Sequence, residues 1–322
     1  MPGLSVSVVI PAFNAAAFIR EALDSVISQD WPAHEVIIVD DGSTDMDYRN
    51  LACGNVRVVT QENKGVSAAR NTGYRHASSD YIAILDADDV WLPGKLKSQM
   101  SYLGDNPDCD AIFADEVKWD GVTKEAISVP ATAKVQVLKY EQFLFGTVAP
   151  LSTVVAERSI DQMYGIIVGS STMVVKRSVW QMLGGFDEGM HYGEDQDFYL
   201  RLARKFRVAK LEAEGVLYRL HEGSATGRYS RAVQDPNHDA EVVYRAIRRG
   251  ETEDVRQARL KRRLAQLHLL HGYAHYWYGD RDVARRELRL ALRNRVTVKT
   301  LIYCLLSQVG PRWKAPGTGA GQ

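Results

Sequence analysis

The chain has 322 residues, 45% of them hydrophobic and 25% charged, with 40 Lys and Arg against 40 Asp and Glu. That is the composition of an ordinary soluble globular protein, with room for one large domain or a domain and an appendage. The neutral total hides an asymmetry: from Arg245 onward there are 17 basic and 6 acidic residues, so residues 1–244 carry −11 and the remainder +11. Cys53, Cys109 and Cys304 are odd in number and widely spaced, which excludes a disulfide framework or a cysteine metal quartet and points to a reducing compartment. The first basic residue is Arg20 and Pro11 interrupts the first apolar run, so the N-terminus does not read as a secretory signal. No run reaches the ~18 apolar residues of a membrane span. A cytoplasmic protein is expected, with any membrane contact peripheral, on the inner face.

The first 115 residues alternate strand and helix signals. "SVSVVIPA" is β-rich. Apolar residues then recur at helical spacing from Phe18 to Gln29. "EVIIVD" is a short buried strand ending in "DGSTD", whose Ser43, Thr44 or Asp45 is suited to cap a helix. "VRVVTQ", a helix around Val66 to Ala77, and "YIAIL" follow. Short apolar strands separated by helices predict βα units and a mostly parallel sheet, with helices on its faces. Ligands of such sheets sit beyond the carboxyl ends of the strands, where "PAFN", "DDGS" and "DADD" all lie.

In the middle, "AIFADEVKW" reads as a strand, "STMVVKRSVWQMLGGFDE" as strand, helix and glycine stop, "GEDQDFYLRLARKF" as a helix opening on acids, and "GVLYRLHEGS" as a last strand. From about His238 the pattern is helical. Leu260, Leu264 and Leu267 share a face, Gly279-Asp280 breaks the pattern, and Ala284, Leu288, Ala291 and Leu292 resume it. This resembles one tetratricopeptide hairpin. The expected division is 1–235 (in two halves, 1–115 and 116–235), a helical region 236–310, and a disordered tail 311–322.

"DADD" concentrates three carboxylates, Asp86, Asp88 and Asp89, at the mouth of a buried strand. One Asp would suffice to cap a following helix. Two at i and i+2 suit a hard divalent cation that bridges to phosphate. "VVIPAFN", "VDDGSTD", "NKGVSAARNTG", "LDADD" and "GGFDE…GEDQDFYLRL" follow one another in that order, and over residues 4–225 the chain resembles the family 2 glycosyltransferases of GT-A fold.

The resemblance implies a Rossmann-like α/β fold and a metal-dependent, inverting transfer of a sugar from a nucleotide donor, UDP first, with Mn²⁺ or Mg²⁺. It places Pro11, Ala12, Asn14, Asp41, Lys64, Arg70, Asp86 and Ala87 at the nucleotide sugar. Asp41 would accept the uracil imide N–H, while Asp40 just ends its strand. Arg70 holds base or phosphate, or is an ordinary surface charge on a helix. Asp88 is expected to ligate the metal, with Asp86 and His221 of "YRLHEGS" beside it, and Asp89 to cap the next helix or support the ligands. Asp195 of "GED" is the expected general base toward the acceptor hydroxyl, with Glu194 orienting acceptor or neighbouring groups. The acids of "GED" also favour a helix first turn on their own account. Arg228 is a candidate for a loop over phosphate.

The implied partners are a nucleotide sugar and a saccharide or lipid-linked saccharide acceptor, in bacterial surface polysaccharide or glycolipid assembly, and no nucleic acid. A non-catalytic nucleotide-sugar-binding subunit is the alternative, against which the chain keeps both "DAD" and "GED". Nucleotidyl transfer would want a Gly-rich basic loop after the first strand, and "PAFNAAAF" has neither glycine nor Lys or Arg. His268, His271 and His275 share a helix face, with half-buried packing preferred to a metal. The basic C-terminal helices read as a solvated face, with contact to anionic lipid as the second possibility.

Overall fold

The computed structural model describes residues 4–119, 121, 133–145, 169–221 and 237–308. These divide into two compact units, 4–145 with 169–221, and 237–308. The expected tail 311–322, Arg228 and most of the stretch 119–169 lie outside the described residues.

The first unit is built on a sheet of nine strands: β1 Val6–Ala12, β2 Glu35–Asp40, β3 Val56–Thr60, β4 Tyr81–Ile84, β5 Val90–Trp91, β6 Ala111–Trp119, β7 Val135–Leu138, β8 Val174–Lys176 and β9 Val208–Arg219. Its order is β3-β2-β1-β4-β8-β6-β9-β5, with β7 on β9. The β3-β2-β1-β4 half is parallel, as the βα alternation predicts. Beyond β4 the sheet is mixed: β8 runs antiparallel to both β4 and β6, while β6 and β9 pair in parallel.

Helices α1 Ile19–Ile27, α2 Val66–His76, α3 Lys95–Asp105, α4 Tyr140–Phe145, α5 Arg177–Leu183 and α6 Glu194–Lys205 complete the unit. All seven residues of β1 are buried, and their alternation serves two cores. Val8 and Ile10 face a layer that includes Ile19, Ala22 and Val26 of α1 and Leu96 and Met100 of α3. Val9 faces the other, with Ala69 of α2, Trp180 of α5 and Phe198 of α6. Each such aliphatic side chain contributes about 1.5–3 kcal/mol on burial, so this strand anchors both faces.

Two sequence expectations change. The turn after β2 leads not to an α-helix but to a single 3₁₀ turn, Tyr48–Leu51, capped by Asp47. The strand β5 intervenes between "DADD" and α3, and α3 follows Gly94, its cap position, in the left-handed region, so Asp89 caps no helix.

The second unit is helical, with α7 His238–Arg248, α8 Gln257–Tyr278, α9 Arg281–Asn294 and α10 Val298–Gln308. Asn237 caps α7, and Asp280 caps α9 by accepting the Asp282 and Val283 N–H groups. Leu260, Leu264 and Leu267 of α8 and Ala284, Leu288 and Ala291 of α9 are buried, the face that the periodicity predicted. No helix among the described residues is long and apolar enough to cross a membrane.

Candidate active site

Parallel pairing sets Ala12 opposite Asp40 and Val9 opposite Ile84, so β1, β2 and β4 end on the same edge of the sheet. Three loops meet there. Pro11 and Ala12 are buried, and the chain then turns through Asn14 at φ 49°, a left-handed value that Asn tolerates. Asn14 donates its N–H to Ser43 Oγ and accepts the Thr44 N–H, which knits "PAFN" to "DGST".

Asp40 folds its own turn, accepting the Ser43 N–H at 2.8 Å. Asp41 is 2% exposed, and its carboxylate accepts from the Lys64 and Gly65 N–H groups and from Gln61 Nε2, at 2.7–2.9 Å. Asp41 thereby fixes the "NKG" turn that opens α2, while the Lys64 side chain is exposed.

α2 lies close on β1, because a Cβ at Gly73 would drive into the Val9 side chain. One turn earlier stands Arg70, 5% exposed rather than a surface charge. Its Nη2 donates to both oxygens of Asp86 at 2.8 and 3.0 Å, and its Nη1 to Glu194 Oε1 at 3.0 Å. The neighbouring Asn71 pairs with the Phe186 backbone on both sides, through its Nδ2 to the carbonyl and from the N–H to its Oδ1. Gly185 (φ 77°) permits that approach, since a Cβ there would meet the Asn71 side chain. The sequence-distant "ARN", "DADD" and "GGFDE…GED" segments are thus one bonded assembly.

Within "DADD" each carboxylate has a separate partner. Asp86 goes to Arg70. Asp88 Oδ2 lies 3.0 Å from His221 Nε2, both half-buried, and the His221 ring packs on Phe18 at 4.6 Å. Asp89 is 2% exposed and accepts from Ser171 Oγ at 2.5 Å and from the Arg219 N–H at 3.1 Å. Burial, then the charges of Asp88 and Asp86, push its carboxyl well above the ordinary range. Ala87 between them is buried.

α6 starts after Gly193 in the left-handed region and presents Glu194 and Asp195 at its first turn. Burial, then repulsion from Asp195, lifts the Glu194 carboxyl to about 7. Burial also raises Asp195, with the Arg70 cation opposing. Asp195 Oδ1 accepts the Gln196 N–H at 2.7 Å. The acids of this turn divide: Asp197 pairs back to Arg201 of its own helix, whereas Glu194 is drawn to Arg70.

Three residues escape the sequence reading. Glu116, on β6, is half-buried, and its carboxyl is lifted to about 7 by burial first, eased by Lys118, and then by the charges of Asp195 and Asp86. A Cβ at Gly169 would collide with this carboxylate. Ser171, in the 3₁₀ turn Ser170–Thr172, holds both ends of "DADD" by accepting the Asp86 N–H and donating to Asp89. Arg219 is buried, donates from Nε to the Asp88 carbonyl at 2.8 Å, pairs with Glu21 and stacks on Trp119 at 4.2 Å. Only the strand pattern of "DEVKW" hinted at Glu116. Nothing local marked the other two.

Among the described residues no group of three or more His, Cys, Asp or Glu is placed to hold a metal ion. The chemistry of the Asp88–His221 pair nonetheless fits one. It offers a carboxylate oxygen and an imidazole nitrogen, partly open to solvent, and divalent cations at phosphate sites commonly take one or two protein ligands and complete their shell from the substrate.

A parallel half-sheet whose strand ends carry these carboxylates, extended by a mixed half that brings in a helix-borne acid pair, is the GT-A glycosyltransferase architecture. The 1–349 fragment of S. aureus TarS in complex with UDP-GlcNAc superposes with a TM-score of 0.62 at 19% identity, covering 90% of this chain and 81% of that fragment. The mannosyltransferase PcManGT of Pyrobaculum calidifontis, in complex with GDP-Man and Mn²⁺, superposes with a TM-score of 0.55 at 20% identity, covering 95% of this chain and 79% of its own. Residues 7–150 match the sequence profile of Glycosyl transferase family 2. The Escherichia coli UDP-Glc:alpha-D-GlcNAc-diphosphoundecaprenol beta-1,3-glucosyltransferase WfgD is 34% identical over 102 residues, 30% of this chain and 40% of WfgD. Glycosyltransferase GlyA of Streptococcus pneumoniae is 38% identical over 98 residues, which span 13% of its length. The likeness to these relatives thus covers less than half of either one.

Proposed function

We propose that the protein is an inverting glycosyltransferase that moves a sugar from a nucleoside diphosphate donor, UDP first, to an acceptor hydroxyl. The observation that carries this reading is the Arg70 bridge, which binds the strand-end Asp86 to the Glu194 of the acid pair. A merely structural acidic turn would not need a buried cation drawn from a third segment. Asp195, next to Glu194, is the group that takes the acceptor proton, and its raised carboxyl makes it a stronger base than a surface aspartate. Direct displacement with one such base inverts the anomeric centre. Pro11, Ala12, Asn14 and the Asp41-organised Lys64 turn wall the nucleotide side, and Asp86 with Ala87 faces the ribose.

Asp88 and His221 would hold Mn²⁺ or Mg²⁺, whose chemistry is to neutralise charge on the departing diphosphate. The support is the Asp88–His221 contact here and the Mn²⁺ that accompanies GDP-Man in the PcManGT complex. The acceptor class is a saccharide or lipid-linked saccharide of a bacterial surface polymer or glycolipid, on the strength of the WfgD name. Retention of "GED" in a bonded cluster favours catalysis over a binding subunit.

A panel of nucleotide sugars tests this, with nucleotide release followed with Mn²⁺ and with chelator. UDP release that disappears with chelator and in Asp88→Ala is expected. A protein that binds UDP and turns over no donor refutes the enzymatic reading.

A further inference from the structure

The C-terminal helix α10 is inside out. The residues it buries are polar: Thr300 and Ser307 are each 1% exposed, with Tyr303 and Cys304 half-covered between them. Those positions recur at helical spacing and form one face, held to α9 by Arg285 Nε donating to the Ser307 carbonyl at 2.9 Å. The opposite face is aliphatic. Val298, Leu301, Ile302, Leu305 and Leu306 all lie open, Val298 at 75% and Leu305 at 64%. An ordinary surface helix turns its apolar stripe to the core. Here the stripe faces outward, a contiguous patch of the kind that marks interaction sites in soluble chains.

A second observation says what covers it. On α9, to which α10 is tied, Arg285, Arg286, Arg289 and Arg293 line a groove of about 370 Å³ with Asp282 and Leu290. Between Arg281 and Gln308 there are seven basic residues and two acidic ones. Of those two, Glu287 is buried against His268, and Asp282 pairs with Arg285. The α9–α10 pair therefore carries both an exposed aliphatic stripe and a row of guanidinium groups.

We propose that this surface docks on an anionic lipid bilayer, the aliphatic face of α10 entering the acyl boundary and the α9 arginines holding headgroup phosphates. Guanidinium matches phosphate oxygens bidentately, and apolar insertion with basic flanks is the signature of a helix lying in a membrane interface. A second copy is a poorer occupant, because pairing the stripes would bring two arginine-rich helices together with one exposed acid on each, Asp282, already paired with Arg285. A spanning helix is not required.

The test uses the full chain, without any sugar donor, in co-sedimentation with vesicles of phosphatidylcholine alone and with roughly one third phosphatidylglycerol. Binding to the anionic vesicles about tenfold or more above the neutral ones is expected, weakening as salt rises from about 0.1 M to about 0.5 M. The double substitution Leu301→Glu with Leu305→Glu, at exposed positions that leave the fold intact by circular dichroism, should abolish it. So should Arg289→Glu with Arg293→Glu. Equal affinity for both vesicles, no binding to either, or a dimer in light scattering that Leu301→Glu with Leu305→Glu dissolves would each overturn the proposal.

Discussion

Both units bury a charged cluster, and the two are opposites. In the sheet unit one cation, Arg70, stands against Asp86 and Glu194, with Asp195 and Glu116 close enough to raise the carboxyl range further. In the helical unit one carboxylate, Glu287, is surrounded by His268 at 2.8 Å, Asn237 at 2.9 Å, His271 at 3.4 Å and Arg286 at 3.2 Å. Burial pushes Glu287 upward, but the hydrogen bonds from His268, His271 and Asn237 outweigh it and hold its carboxyl well below the usual range. The first cluster keeps surplus negative charge and the second neutralises it. Surplus negative charge is what a bound cation or an incoming proton can neutralise. Balance is what a helix interface needs. The three histidines, each 2% exposed, are therefore core rather than the half-buried packing the sequence suggests.

The comparison breaks most directly at Asp195. Asp195→Asn keeps the shape of the α6 start and removes the carboxylate proposed as the base. Sugar transfer should fall about 10²–10⁴-fold while UDP affinity changes little. Unchanged turnover in a coupled nucleotide-release assay would transfer the role elsewhere in the cluster.

Arg70→Ala comes next, and its effect is on stability. It leaves Asp86 and Glu194 facing one another without their shared cation, and removing one partner of a buried ion pair costs about 3–5 kcal/mol. A large fall in melting temperature is expected, most of it recovered by Asp86→Asn in the same chain. If the single variant melts like the parent, the bridge does not hold the three segments together.

The parallel half of the sheet was legible because its signals are local. Buried runs such as "SVVIP" and "EVIIVD" end in turn residues, and period and punctuation suffice. "DADD" and "GED" were legible as acids at element ends. What joins them was not. Arg70 reads equally as a cation for base or phosphate and as a surface helix charge, until Gly73 packs α2 onto β1 and buries the residues one turn away. Asp89 looks like a cap until β5 intervenes, and its partners Ser171 and Arg219 come from 82 and 130 residues later. Contacts at such separation are set by strand order, and the mixed half, β8-β6-β9-β5, has no alternation to announce it.

The helical cluster predicts a smaller effect. Glu287→Gln keeps volume and an acceptor but loses the charge that His268 and His271 face, for about 1–3 kcal/mol. Because Glu287 is held below its unfolded value of 4.5, its contribution is present above that pH and is lost as pH falls through the folded value. Hydrogen exchange of α8 and α9 should show protection that declines in acid for the parent and a flatter profile for Glu287→Gln. Identical profiles would mean the carboxylate is not what stabilises this interface.

Glu116 carries the opposite sign and the smallest change. Its carboxyl is raised from 4.5 to about 7, so the folded chain holds a proton there that the unfolded chain has released. Stability of the sheet unit should therefore decline as pH rises from about 4.5 to 7, the reverse of the Glu287 slope. Glu116→Gln removes that penalty. With its partial exposure discounted, a gain on the order of 1 kcal/mol at pH 8 is expected, together with a flatter slope between pH 5 and 7 by exchange at β6. If Glu116 also meets the acceptor beside Asp195, the same variant becomes more stable and less active, with the loss in acceptor KM. A variant that loses stability at pH 8 would show that Glu116 is a balanced group like Glu287, and that the acid surplus stops at Asp86, Glu194 and Asp195.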